Sequence, residues 1–173
     1  MLILALCGSL QQKSGNLSLL QRAASLAPPG VEVRLCDDLR SLPHFDPDLE
    51  QQGELEKVTR WRRALAEADA LLIACPEYGH SLPGALKNGI DWLIGSGELE
   101  RKVVAITASV NFPERGTRGL SALRQTLQAV SARIVGGAPI VRGPSFDADV
   151  AALLAQLIAE ARQPDVPPSP EFV

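Results

Sequence analysis

The chain has 173 residues, of which 46% are hydrophobic, and its formal net charge at pH 7 is −3. These values predict one soluble domain, assigned here to residues 1–162, followed by a proline-rich tail at 163–173. The slightly acidic balance provides no basic stripe, which argues against nucleic acid or an anionic membrane as the main partner. No apolar segment reaches the roughly 18 residues that span a bilayer, and Met1 leads straight into an apolar run, so we expect a cytoplasmic protein.

Five segments of the chain have the pattern of β-strands. The first, third and fourth are continuous apolar runs, typical of strands buried on both faces of a parallel sheet. The second alternates apolar with charged residues, and the fifth contains Pro139, which cannot donate a ladder hydrogen bond, so both belong at sheet edges. In chain order the segments are Leu2–Cys7, Val31–Leu35, Ala70–Cys75, Val103–Ala108 and Ile134–Val141.

A helix is predicted after each strand, because apolar residues recur there at three- and four-residue spacing. Before the third helix, Ser81 is the expected cap and Pro83 the expected first-turn residue. The segment 37–47 is expected to be an irregular loop. The five apolar stripes run over residues 17–27, 55–65, 82–93, 120–130 and 150–161.

Strands that alternate with helices predict an α/β fold, a doubly wound five-stranded parallel sheet with helices on both faces. With the second and fifth strands at the edges, the flavodoxin-like order 2-1-3-4-5 fits, whereas the Rossmann dinucleotide order would bury the second strand. The switch point then lies between the first and third strands. It brings the loops 8–16 and 76–81 together at the carboxyl edge of the sheet, where such folds bind ligands.

The loop after the first strand is a candidate phosphate cradle, because hydroxyls, amides and free N–H groups at a helix start bind phosphate with little formal charge. A Walker loop does not fit, since its second glycine would fall on Lys13, and the dinucleotide motif G-x-G-x-x-G is absent. An ordinary serine-capped turn is the alternative. The residues concerned are Gly8, Ser9, Gln11, Ser14, Gly15 and Asn16.

Two motifs carry a family resemblance. Residues 8–16 read Gly-Ser-Leu-x-x-x-Ser-x-Asn, and residues 76–92 read Pro-Glu-Tyr-x-x-Ser-x-Pro-Gly-x-Leu-Lys-Asn-x-Ile-Asp-Trp. Together they resemble the NADPH-dependent FMN reductase family, whose relatives include quinone, azo-dye and chromate reductases. The similarity extends over about residues 1–141.

The resemblance implies FMN as cofactor, with NADPH or NADH as co-substrate and a small-molecule electron acceptor. It assigns the FMN phosphate to the first loop and the isoalloxazine to the second, with Ser109 at the other edge of the flavin. Hydride transfer at flavin N5 needs no protein acid or base, so no side chain is named as catalytic, and no metal site is expected. The cofactor-binding candidates are Ser9, Gln11, Ser14, Gly15, Asn16, Pro76, Glu77, Tyr78, Gly79 and Ser109.

Two further residues are candidate substrate contacts. His80 adjoins the proposed ring site, with an exposed loop residue as the alternative interpretation. Arg118 follows the fourth strand and could bind the 2′-phosphate of NADPH, because guanidinium suits phosphate, with ordinary surface charge as the alternative.

The chain departs from the family pattern at two positions. The family usually has arginine where this chain has Gln11, and asparagine where it has Gly79. Loss of a guanidinium removes a charge-assisted phosphate contact, so weaker FMN retention is predicted, unless Lys13 compensates.

Two functional hypotheses follow from these residues. The first is an FMN-dependent NAD(P)H oxidoreductase that reduces free flavin or a quinone-like acceptor, assembled as a homodimer or homotetramer as the resemblance implies. The second is a non-catalytic flavin carrier, or a domain that binds another phosphate ligand.

Three cysteines without a C-x-x-C pair favour reduced, buried thiols. Trp92 is expected in the core or a subunit interface.

Overall fold

A five-stranded parallel sheet forms the centre of the computed structural model, which describes residues 1–53 and 55–164. The order of its strands is β2-β1-β3-β4-β6, and the separate strands β5 and β7 pair with each other in parallel. The strands are β1 (Leu2–Cys7), β2 (Glu32–Cys36), β3 (Ala70–Ala74), β4 (Val103–Thr107), β5 (Ser109–Val110), β6 (Arg133–Gly136) and β7 (Ile140–Val141). The doubly wound, flavodoxin-like sheet predicted from the sequence is thereby confirmed, with its second strand at an edge.

Helices cover both faces of the sheet. Leu19 and Leu20 of α1 pack with Leu154 and Leu157 of α6 on one face, whereas α3, α4 and α5 share a second apolar cluster on the other. Among the described residues, no helix combines the length and the apolar character needed to cross a bilayer. The helices are α1 (Gly15–Ser25), α2 (Pro47–Gln51), α3 (Glu56–Glu67), α4 (Gly84–Asp91), α5 (Thr117–Ala129) and α6 (Phe146–Ala161).

The predicted fifth strand at 134–141 is wrong in one respect, because it is two strands. Gly136 and Gly137 have φ angles of 68° and 109°, a left-handed conformation that ends β6 and turns the chain away from the sheet. After Pro139, β7 resumes beside β5. Ser109 is the first residue of β5.

Two local predictions also need correction. The loop predicted at 37–47 contains a 3-10 turn at Asp38–Arg40 and leads into α2, whose first residue is Pro47 and whose cap is Asp46. Ser81 does not cap α4, because its backbone pairs with Tyr78 and the cap position is Pro83. Most of the proline-rich tail, from residue 165 onward, lies outside the described residues.

Residues of the second sequence motif also pack α4 against the rest of the chain, in addition to forming the loop that is the candidate ligand contact. Trp92 is 1% exposed and belongs to the core, and its ring meets Phe45 edge to face at 5.1 Å. Lys87 and Asp91 form a surface ion pair at i, i+4 spacing along α4.

Candidate functional site

The loops 8–16 and 76–81 lie side by side at the carboxyl ends of β1 and β3. The Gly8 amide donates to the Ala74 carbonyl at 2.9 Å, and a Cβ on Gly8 would stand 3.1 Å from Pro76 Cδ. A larger residue at position 8 would require the Pro76 ring to shift by a few tenths of an ångström. Farther along, Ser9 Oγ and the Tyr78 hydroxyl are 3.2 Å apart, so the two loops also meet through side chains.

Ser9, Ser14 and Asn16 are buried polar residues of the first loop, whereas Gln11 is exposed. Ser14 caps α1 by accepting a hydrogen bond from the Asn16 amide at 3.2 Å, and Ser9 Oγ accepts one from the Gln11 amide at 3.2 Å. The Asn16 side chain accepts from the Ser109 amide at 2.9 Å. This last contact joins the start of α1 to β5, so a strand from beyond β4 reaches the N-terminus of this helix.

The tip of the second loop is a tight turn of type I′. Tyr78 and Ser81 exchange two backbone hydrogen bonds of 3.0 Å, and the residues between them, Gly79 and His80, have φ angles of 56° and 63°. Two consecutive positive φ angles define that turn type. Glycine and asparagine both tolerate this conformation, which gives a backbone reason for the departure at position 79. Tyr78, Gly79 and His80 are all exposed.

Glu77 fastens the second loop to α5. Its Oε2 atom accepts hydrogen bonds from the backbone amides of Arg118 and Gly119, at 2.9 and 3.1 Å, and its Oε1 atom lies 3.2 Å from His80 Nδ1. These contacts lower the pKa of Glu77, chiefly the one with His80 and then that with the Gly119 amide. Arg118 therefore meets the site through its main chain, and its side chain is exposed.

A cleft of about 380 Å³ opens between these segments. Ser109 Oγ, beside it, is buried and has no hydrogen-bond partner among residues 1–53 and 55–164. A buried hydroxyl left unpaired is costly, and a polar ligand that fills the cleft would remove that cost. The cleft is lined by Asn16, Pro76, Glu77, Ser109, Asn111 and Arg142, among others.

The predicted site residues do not all face this cleft. Ser9 and Gln11 line a second cleft of about 360 Å³ on the far side of the first loop, near Cys7 and Cys36. Ser14 and Gly15 lie at the start of α1, as its cap and its first residue.

Sequence reasoning missed the basic and amide side chains that the chain supplies from beyond β4. Arg142 and Asn111 line the first cleft together with Arg115. Asn111 and Arg142 belong to no motif, and the only signal for them was their position after strands that end at the ligand-binding edge.

Comparison with known proteins gives the same family as the motifs. The family model described as NADPH-dependent FMN reductase matches residues 1–147. The quinone reductase of Escherichia coli strain K12 is 32% identical over 136 residues, which cover 77% of this chain and 72% of that protein.

Two other similarities differ in extent. An NAD(P)H-dependent FMN reductase of Pseudomonas aeruginosa is 42% identical over 90 residues, 52% of this chain, and the match spans 48% of that relative's length. The solved structure of FerB, a flavoenzyme NAD(P)H:(acceptor) oxidoreductase from Paracoccus denitrificans, superposes with a TM-score of 0.81 over 92% of this chain and 96% of its own, at 22% identity. This likeness concerns the fold.

The family match over 147 residues and the quinone reductase similarity agree with the two loops that meet at the switch point of the sheet. The chain therefore belongs to the NADPH-dependent FMN reductase family.

Proposed function

We propose that the protein is an FMN-dependent NAD(P)H oxidoreductase that delivers electrons to free flavin or to a quinone-like acceptor. The observation that carries this proposal is the family match over residues 1–147. The names of the relatives from P. aeruginosa and E. coli, an FMN reductase and a quinone reductase, supply the two acceptor classes.

The residues at the switch point fit FMN. The unpaired Ser109 hydroxyl provides a buried polar atom that a ligand would satisfy, and the first amides of α1 form a terminus suited to a phosphate. We assign the phosphate to Ser9, Gln11, Ser14, Gly15 and Asn16. The ring system is assigned to the backbone of residues 76–79 and to Ser109.

Bound FMN would supply the hydride chemistry between the nicotinamide and the acceptor. The chain itself would bind FMN, orient its ring system and shield the reacting face from water. The Glu77 contacts with α5 fix the loop that carries the proposed ring contacts, and the type I′ turn places Gly79 and His80 at its exposed tip. We keep His80 and Arg118 as proposed substrate contacts, since both are exposed beside this loop.

Two measurements test the proposal. The purified chain is mixed with FMN, freed of excess ligand and examined for flavin bands in its visible spectrum, and NADPH consumption is then followed with FMN or a benzoquinone as acceptor. We expect stoichiometric flavin and NADPH oxidation that depends on the acceptor. Bound flavin without turnover would favour the carrier hypothesis, and absence of flavin uptake would overturn both.

Assembly and location complete the proposal. We infer a single functional domain over residues 1–162 that forms a homodimer or homotetramer in the cytoplasm. Light scattering coupled to size exclusion gives the mass of the assembly directly, and a monomeric mass at micromolar concentration would contradict the proposed oligomer.

A further inference from the structure

Arg142 places a guanidinium at the start of α1. It follows β7, and its backbone amide donates to the Val110 carbonyl at 2.9 Å, which holds the end of this strand beside β5. From there the side chain reaches Gly15, the first residue of α1. A Cβ added to Gly15 would stand 2.9 Å from Arg142 Nη1 and 3.4 Å from its Cζ. The absence of a side chain at Gly15 thus lets the guanidinium approach the helix terminus.

Two further polar groups share this location. Ser109 Oγ lies 3.3 Å from the position that a Cβ on Gly15 would take. This buried hydroxyl has no hydrogen-bond partner within the described part of the chain. Arg142 Nη2 donates to Asn111 Oδ1 at 2.6 Å, which orients the guanidinium through a neutral acceptor. A hydroxyl, a cation and a helix N-terminus therefore converge beside the first cleft.

The charge of Arg142 is not compensated by a carboxylate. Within residues 1–53 and 55–164, no acidic side chain forms an ion pair with Arg142, in contrast to Arg22, Arg60 and Arg62, which each pair with an aspartate or glutamate. A guanidinium above a helix N-terminus repels cations and leaves an anion as the fitting partner, because both contribute positive potential.

We propose that Arg142 binds the FMN phosphate and supplies the guanidinium that position 11 lacks. This inference rests on the proposed function, since it concerns the ligand of the same site. Gln11 is exposed and lines the second cleft, whereas Arg142 reaches the α1 terminus from the opposite side, across Gly15. A cation that comes from β7 gives the charge-assisted contact without an arginine in the loop.

The experiment compares two ligands that differ only in the phosphate. FMN and riboflavin are titrated against the wild-type chain and Arg142→Gln, and the change in flavin fluorescence gives each dissociation constant. Hydrogen bonds to charged groups predict that Arg142→Gln weakens FMN binding by roughly tenfold to a hundredfold. Riboflavin affinity should change by less than about twofold, because riboflavin lacks the group that Arg142 contacts.

Two more variants serve as controls. Arg63→Gln removes the same charge from an exposed arginine of α3, outside the cleft, and it should change FMN affinity by less than about threefold. Gln11→Arg should restore FMN affinity in the Arg142→Gln background and add much less to the wild-type chain, because one phosphate site would be shared by the two arginines. Far-ultraviolet circular dichroism and thermal unfolding without flavin establish that each variant is folded.

The outcomes separate this inference from the proposed function. If the wild-type chain takes up no FMN, the proposed function fails. If it binds FMN and Arg142→Gln binds it equally well, the role of Arg142 alone is wrong. An equal loss of FMN and riboflavin affinity, or an equal effect of Arg63→Gln on FMN, would also overturn the phosphate contact.

Discussion

Gly79 and His80 are two adjacent left-handed residues that shape the loop proposed to line the flavin. Nothing lies within 4 Å of a Cβ built on Gly79, so a substitution there is limited by backbone conformation and not by space. A side chain costs about 1–2 kcal/mol in this conformation, and a β-branched one is the least tolerated. We expect Gly79→Val to lower the free energy of unfolding by about that amount.

The matched control at this position is Gly79→Asn, because asparagine visits the left-handed region readily. Its cost should be below about 1 kcal/mol. Urea denaturation of both variants measures the difference. Equal stability of Gly79→Val and the wild-type chain would show that the turn adopts another conformation at no cost.

The carboxylate of Glu77 makes the stability of the folded chain depend on pH. Its pKa is lowered in the folded chain, first by His80 and then by the backbone amide of Gly119. A lowered pKa means that the ionised form favours folding above the ordinary glutamate value of about 4.3, and that this stabilisation is lost as the pH falls toward the folded-state pKa.

Glu77→Gln should therefore unfold at a lower temperature than the wild-type chain at pH 7, and the gap should narrow below about pH 4.3. Thermal unfolding followed from pH 7 to pH 3 measures this trend. Glu114→Gln removes an exposed carboxylate of the neighbouring loop and should show no such convergence. If the difference in unfolding temperature between Glu77→Gln and the wild-type chain stayed constant with pH, the ionised Glu77 carboxylate would not be the stabilising form.

At the scale of elements, α4 is held to the segment before α2 by one amide side chain. Asn88 Oδ1 accepts from the Phe45 amide at 2.7 Å, and Asn88 Nδ2 donates to the Pro43 carbonyl at 2.9 Å. Trp92 Nε1 donates to the same carbonyl at 2.9 Å. The asparagine and tryptophan of the second motif thus lock an element in place, which the ligand-binding interpretation of that motif does not explain.

Asn88→Ala should lower the free energy of unfolding by about 2 kcal/mol, because the Phe45 amide loses its acceptor in a partly buried place. Lys87→Ala, on the adjacent exposed position, removes only a surface ion pair and should cost about 0.3–0.5 kcal/mol. Chemical denaturation of the two variants compares them directly. Similar losses for both would mean that water replaces the amide contacts of Asn88.

Sequence patterns predicted the strands well where burial on both faces sets the apolar pattern. They predicted strand boundaries less well where the choice of the neighbouring strand sets those boundaries. The apolar runs of β1, β3 and β4 are fully or largely buried, as their composition indicates. The run at 134–141 is also apolar, but hydrophobicity does not reveal that Gly136 turns the chain toward a second partner, β5. The pairing of β7 with β5 brings Arg142 to α1. Because this pairing could not be predicted from hydrophobicity, the position of Arg142 could not be predicted either.

The candidate site shows the same division. The start of a helix after the first loop follows from local spacing, and the adjacency of the two loops follows from strand order. The contact of Glu77 with α5 joins residues 42 positions apart, and short motifs carry no information about such partners. Long-range side-chain contacts, and not the loops themselves, are what the sequence left undetermined.

At the scale of the whole molecule, burial of the Cys75 thiol in the folded interior disfavours its ionised form. Its side chain lies at the end of β3 between the sheet and the helices, with 0% exposure, and burial is the main cause that raises its pKa to about 12, followed by the nearby Cys7. In the unfolded chain the thiol ionises near about pH 8.5. The unfolded state therefore loses this proton first as the pH rises.

Stability from the neutral thiol is fully present below about pH 8.5 and is lost between that value and about 12, at up to about 1.4 kcal/mol per pH unit. We expect the wild-type chain to lose unfolding free energy from pH 8 to pH 10 more steeply than Cys75→Ala, which has no thiol to ionise at that position. Urea denaturation in the presence of a reductant, at several pH values, measures both slopes, and other groups that titrate in this range affect the two proteins alike. Parallel slopes would mean that Cys75 reaches solvent in the folded chain, and that the junction between β3 and the proposed flavin loop is looser than its packing indicates.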